Sequence, residues 1–494
     1  MKKTIIFIVL LVILAGVSPI IGNKIVTYYV DQEIIAVKEK GITLNFKSEV
    51  PGYLYTSKQY EFILSDVDAF AKYLTEYGAG MLPPYTDELL KSIVFRLDMK
   101  YHNIPFLKPI SIDIYPMYIS DDMMGKLKAG DNIFFKNFQN FITRQGLLYH
   151  IDYHLFSENY KGHIKNIDYK DRSFDGSNVI LTLHNAVFNG TGSFKAPESL
   201  KIDIDKIMFK TNDKSKDVTL EIKNFSSEST NSVSDAAEEL YNKSKDMYNK
   251  SNIPDHVEDI KEKSEDAARD MYNTSMKMQS MFFNTKYKDK DEETSVEAKN
   301  VDVNVSTEEG KKKSKNRSYF FFESLNLKSN KSDIQMSNVV YDSSMSGLDR
   351  QSFNALKSSL TKTRTSPSFD SIDTMKISAI NLLSHGLELR IPELSVSNVH
   401  YQGEDLGGLK LISALNVKED KNLAAKMVFS PLFIVQNLDF KVHLTISKKI
   451  YAKFIEEVPF ALLALATTKE TATDFIYDVS YINGDFKVNG SSVL

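Results

Sequence analysis

The sequence predicts an α+β, β-dominated protein: a long curved antiparallel sheet of repeated hairpins, with an N-terminal transmembrane helix and a helical insert. Three observations predict it. Residues 5–21 form an apolar run preceded by Lys2 and Lys3, broken only by Gly16, Ser18 and Pro19. An octet of pattern apolar-x-apolar-x-Asn-apolar-x-aromatic recurs at 181–188, 334–341, 394–401 and 433–440. Between octets, residues 226–317 turn rich in Ser, Asp, Asn, Lys and Glu. These shifts divide the chain into a signal anchor at 1–23, a membrane-proximal helix with a first β region at 24–225, a polar helical insert at 226–317, and a second β region at 318–494.

Composition narrows the function classes. The 494 residues carry 42% hydrophobic and 26% charged side chains, as ordinary globular chains do. A net charge of −4 gives no electrostatic reason to bind nucleic acid. The chain has no Cys, which excludes disulfides, thiolate zinc sites, iron–sulfur ligation and cysteine nucleophiles.

The apolar run, 17 residues long, rises about 26 Å as a helix, near the lower limit for crossing a bilayer. Ala15-Gly16-Val17-Ser18 makes an imperfect cleavage site, and Ile20-Ile21 prolong the run, so an uncleaved anchor is expected over a cleaved signal peptide. Lysines before the run and Asp31 and Glu33 after it place the N-terminus in the cytoplasm and the body outside. Val26, Tyr29, Val30, Glu33, Ile34, Val37 and Lys40 then read as an amphipathic helix ended by Gly41. Strand signals follow: Leu44 and Phe46 alternate with polar neighbours, Pro51-Gly52 marks a turn, and 53–64 alternates again. Residues 67–77 read as a short helix or edge strand, Pro83-Pro84 interrupts, and 93–99 resumes an extended pattern.

The octets supply the repeat. Looser copies centre on Asn166, Asn224 and Asn300, and the seven asparagines lie 19, 39, 76, 38, 60 and 39 residues apart. These are multiples of about 19 to 20, the size of one hairpin. In a strand, positions 334, 336 and 338 share one face while 339 and 341 share the other. The apolar face is therefore expected to switch at Asn338, where a bulge or bend would sit, and Asn tolerates the left-handed region there.

Within the insert, 235–250 and 256–283 have helix-forming composition, and Asp246-Met247-Tyr248-Asn249 recurs at 270–273. Two helices joined near Pro254 are expected, with Met271, Met278 and Phe282 packing on the sheet or receiving a partner. The basic run 311–317 reads as a solvated loop.

No constellation of catalysis stands out. The chain has no GxxxxGK, GxSxG or HExxH. His150, Asp152 and His154 share a strand face, but strand residues four apart are about 13 Å apart, too far for one metal. No catalytic, metal or cofactor residue is assigned. The candidate site is an apolar groove lined by Ile334, Met336, Leu394, Val396, Phe433 and Val435.

Both ends of the chain resemble the YdgA-like family of bacterial envelope proteins. The resemblance rests on Gly52-Tyr53-Leu54-Tyr55-Thr56-Ser57 opening the strands and on the ending Tyr477-Asp478-Val479-Ser480-Tyr481-Ile482-Asn483-Gly484-Asp485-Phe486-Lys487-Val488-Asn489-Gly490, preceded by an expected helix at 455–471. It implies an inner-membrane anchor, a periplasmic body and self-association, and no active site. The repeated hairpins are similar, as architecture, to the AsmA-like group of envelope proteins with grooved, lipid-linked sheets. The expected function is a non-enzymatic, single-pass envelope protein of the bacterial inner membrane, holding or shielding acyl chains, with membrane lipid as its partner. The alternative is a self-associating scaffold, a homo-oligomer or a complex with an envelope protein partner, using the insert.

Overall fold

The computed structural model describes residues 2–66, 69–70, 93–104, 108–119, 140, 144, 146–172, 178–192, 197–212, 214–233, 270–310, 312–365, 368–430, 433–454 and 469–492, with the backbone alone at 2–17. The chain is β-dominated, with a long antiparallel sheet and few helices. It forms two compact units, 1–231 with 278–293, and 232–277 with 294–494.

The first unit begins with helix α1 (Lys2–Glu39). Its strands are β1 (Ile42–Pro51), β2 (Tyr55–Leu64), β3 (Ile93–His102), β4 (Ile110–Ile119), β5 (Tyr149–His154) and β6 (Asn159–Ile164), each antiparallel to the next. Val26 and Val30, one helical turn apart, are buried against Tyr60, Leu97, Met99, Tyr101 and Ile110, with Ile34 beside them. Val37 packs on Ile42 and Leu64. This is the expected amphipathic stripe, although Tyr29 points to solvent. Gly41 ends the helix at φ +84°, where a side chain would be strained. Among the described residues, no helix is long and apolar enough to cross a membrane. The side chains of most of the apolar run lie outside them.

β6 and β7 (Ile167–Arg172) run against β9 (Ala186–Gly192) and β8 (Asn178–His184) respectively. One long strand, β10 (Pro197–Asn212), then spans both β9 and β8 and pairs on its other edge with β11 (Lys216–Val233).

The segment expected as a helical insert contains strands where it is described: the end of β11, β12 (Asp270–Tyr287), β13 (Glu292–Glu309) and the start of β14 (Lys313–Ser329). Met276 and Met278 are half-buried while Lys277 and Gln279 are exposed, a period of two. Helix-forming composition loses to strand pairing at 270–283, where β12 lies between β11 and β13. Residues 235–250 and the first half of the second expected helix lie outside the described residues, as do most of 67–77 and Pro83-Pro84.

In the second unit β13, β14, β15 (Asp333–Asp349), β16 (Leu387–Tyr401), β18 (Leu409–Val417), β19 (Leu438–Ser447), β21 (Asp474–Ile482) and β22 (Asp485–Val488) pair in that order. The two-residue strands β17 (Glu404–Asp405), β20 (Lys469–Glu470) and β23 (Ser491–Ser492) trim their edges. Residues 350–384, unassigned from sequence, form the helical hairpin α2 (Arg350–Thr365) and α3 (Phe369–Ser384). A reciprocal Ser368–Ser371 capping box starts α3. Short helices α4 (Leu423–Phe429), α5 (Phe433–Gln436) and α6 (Lys448–Phe454) lie between later strands. Of the terminal helix expected at 455–471, residues 455–468 lie outside the description, and Lys469–Glu470 is strand. Asn483-Gly484 and Asn489-Gly490 adopt positive φ, the hairpin chemistry expected of them.

Candidate apolar binding face

The octet asparagines mark a seam across the long strands. Asn185, between β8 and β9, and Asn224, Asn300 and Asn338, inside otherwise extended strands, have φ of 51°, 49°, 46° and 46°. At Asn224, Asn300 and Asn338 the ladder skips a single residue on both strands and resumes in register. Ile204↔Phe225 is followed by Lys206↔Lys223, and Lys299↔Ser324 by Val301↔Phe322. Asn224 thus sits opposite Asp205, Asn300 and Asn338 opposite Glu323, and Asn338 also opposite Ser397. The side-chain amides bridge the seam: Asn185 Nδ2 donates to Asp205 at 2.6 Å and Asn300 Nδ2 to Glu323.

The seam corrects the expected switch of face. On β15, Ile334 and Met336 precede Asn338 and Val339 follows it, yet all three pack on one cluster with Val396 and Val399. A left-handed residue inserts the half-period that alternation lacks, so apolar side chains three apart remain on the same side. Burial on β13 records the step: Ala298, Val301 and Val303 are all buried. Sequence reading missed Asp205, Glu323 and Ser397 because it looked for Asn. Their signal was the same three-residue apolar step, Ile204 to Ile207, Phe322 to Leu325 and Val396 to Val399.

Register assembles the apolar positions into rows. One row is Val301, Phe322, Val339, Val396 and Leu409; the next is Val303, Phe320, Tyr341, Leu394 and Leu411. Across the seam lie Ala298, Leu325, Met336 and Val399, then Val296, Leu327, Ile334 and Tyr401. Five strands at about 4.8 Å give rows about 19 Å long. Most of these side chains are half-buried. Ile334, Met336, Leu394 and Val396 come together here as expected. Phe433 and Val435 do not: they lie on α5, with Val435 36% exposed, and Asn437 is the turn that leads into β19. The 433–440 octet is therefore half helix. Pro431 and Leu432 lie outside the described residues. Asn398 is extended, one residue beyond the seam position Ser397.

The other face of β18–β21 is mixed. Glu388, Arg390, Lys441, His443, Asp478 and Lys487, together with Ile412 and Ile482, line an open hollow of about 710 Å³. His443 alternates with Leu444 of the apolar cluster, so hollow and cluster lie on opposite sides. His443 Nδ1 lies 2.7 Å from Asp478, and Thr445 Oγ1 lies 3.4 Å from His443 Nε2. The His443 bond, with Lys469 behind it, holds the Asp478 carboxyl below its ordinary range. Such a line of groups moves protons when a substrate seat and oxyanion donors surround it; here His443 and Asp478 stand half-exposed on open strands.

The basic run 311–317 is largely strand. Lys313 and Lys315 pair with Glu419 and Glu308, and Arg317 grips Asp342 through two bonds at 2.9 and 3.1 Å. Lys311 lies outside the described residues. His150 sits on β5, as its alternation predicted, and bonds Asp113 at 2.6 Å.

No family model, no curated protein and no solved structure matches the chain.

Proposed function

We propose that the protein is a non-enzymatic, membrane-anchored envelope protein that holds acyl chains against the apolar face of β13–β18. One observation carries this reading: four apolar rows run uninterrupted across the strands, and although Ala298, Val301, Val303, Val396 and Val399 are buried, the remaining side chains stay only partly buried, where full burial of such a side chain contributes about 1.5–3 kcal/mol. The seam supports it, because without left-handed residues every row beyond Asn338 would turn to the other side. The 5–21 apolar run, with lysines before it and acids after it, supports an anchor with the body on the periplasmic side of a bacterial inner membrane. The likeness of both ends to the YdgA-like family agrees with that placement.

The test is photo-crosslinking of a diazirine-bearing fatty acid to the purified full chain, with adducts mapped by peptide mass spectrometry. Adducts concentrated on 296–303, 320–327, 334–341 and 394–401 are expected. Phe320→Asp with Leu327→Asp removes them, while Val435→Asp on α5 leaves them in place. Adducts spread evenly over the chain, or equally strong in the double variant, reject the reading.

A further inference from the structure

A polar knot fixes the tip of the β1–β2 hairpin to the point where the apolar run of α1 ends. Asn23, two residues beyond Ile21, accepts through Oδ1 from Tyr101 Oη at 3.1 Å and from Thr56 Oγ1 at 3.4 Å. Thr56 donates also to Asn103, whose amide donates to the Gly52 and Tyr53 carbonyls at 2.6 and 2.9 Å. The turn is tight as well as tied: a Cβ on Gly52 would stand 2.6 Å from the Tyr55 carbonyl.

What the tied turn presents is apolar and aromatic. Tyr53 is 57% exposed and Leu54 45%, with Val50 and Tyr55 exposed beside them. Ile20, Ile21 and Ile25, on either side of the tied Asn23 in α1, are exposed as well. Lys108 Nζ bonds the Tyr55 hydroxyl at 3.2 Å, and Lys100 and Lys108 stand over its ring at 5.3 and 5.6 Å. By register the β5–β6 turn lies at the same end of these strands, and it carries exposed Phe156. Aromatic rings with lysines around them, level with the end of an apolar helix, match the layered chemistry of a bilayer boundary: acyl chains, carbonyls, then phosphates.

We propose that the β1–β2 turn, Val50 with Tyr53, Leu54 and Tyr55, inserts into the membrane interface beside α1, with Lys100 and Lys108 at the phosphates. Two attachments then hold the first unit against the bilayer, where a single helix would let it swivel. The proposal rests on the anchor reading of residues 5–21, and the test separates the two.

The chain has no Trp, so Leu54→Trp makes a single fluorophore at the tip, and Tyr53→Trp a second, independent one. Lys38→Trp, near the end of α1, is the reference. Each full-length variant is reconstituted into phosphatidylcholine–phosphatidylglycerol vesicles and floated on a density gradient. The chain floats with the vesicles and resists alkaline extraction if the anchor reading holds; failure to float overturns both readings. In the floated fraction, Leu54→Trp and Tyr53→Trp emit to the blue and are quenched by lipids brominated near the carbonyl, while Lys38→Trp is not. Tip emission as red and as unquenched as the reference, in a chain that floats, overturns the docking alone. A blue shift that follows protein density and ignores bromolipid assigns the turn to a second copy of the chain and overturns it too.

Discussion

Thr56 Oγ1 donates to Asn103 Oδ1 at 2.9 Å, with both residues shut away from solvent. Asn103 is a hub, since its amide also serves two carbonyls of the β1–β2 turn. Asn103→Ala leaves the buried Thr56 hydroxyl with only its longer Asn23 contact and removes the donor to two carbonyls of the exposed turn. A cost of about 1–3 kcal/mol is expected, because the buried bond forfeits desolvation as well as the bond itself, while the turn carbonyls can rehydrate. Hydrogen exchange should show the amides of 52–57 losing protection before the rest of β2 does. Equal loss across the whole strand would mean the hub stabilises the unit globally and not the turn.

Asn338 separates backbone demand from side-chain demand. At φ 46° it occupies a region that costs most L-residues about 1–2 kcal/mol. Asn338→Gly is expected to leave the urea midpoint almost unchanged, while Asn338→Val lowers stability by at least that amount. Equal loss in both variants would place the value of Asn338 in its side chain and not in its φ.

The seam also shows how far the sequence could be read. The octet is visible in a linear string because rephasing needs three-residue apolar steps, and Asn is the residue that most cheaply enters αL there. The partners on intervening strands escaped because Asp205, Glu323 and Ser397 keep ordinary φ and share no residue type. Whether rows stay on one face depends on the torsion of one residue, which no alternation rule supplies; the expected face switch failed for that reason. At 270–283 Met-rich composition concealed a strand, and strand neighbours outweighed helix propensity. The Asn23–Thr56–Asn103–Tyr101 knot joins positions up to 80 residues apart, and nothing local in the chain announces it.

His150 provides the pH dependence. The Asp113 hydrogen bond, opposed by partial burial, raises its pKa above the ordinary imidazole value. The sign follows from linkage: a folded pKa above the unfolded one stabilises fully below about pH 6.5 and is lost as pH rises through the folded value. The stability gap between the native chain and His150→Gln should therefore be wide near pH 5.5 and narrower at alkaline pH. Thermal unfolding at the two pH values measures it. A gap that is constant, or that widens with pH, would remove the Asp113 pair as its source.

Gly162 and Phe188 face each other across β6 and β9, and the Phe188 ring stacks on Tyr149 with centroids 4.8 Å apart. The ring reaches Tyr149 over the bare Cα of Gly162, where an added Cβ would collide with both the ring and the His150 carbonyl. Gly162→Ala is expected to cost about 1–3 kcal/mol, the range of overpacking in a filled site. The two obstacles can be told apart, because one is a side chain and the other backbone. If the carbonyl dominates, Phe188→Ala does not rescue Gly162→Ala, since β5 must still move. The double-mutant cycle should then show a coupling well below the cost of Gly162→Ala alone. Near-complete rescue would instead make the ring the only constraint and would predict that Ala is tolerated at 162 whenever residue 188 is small.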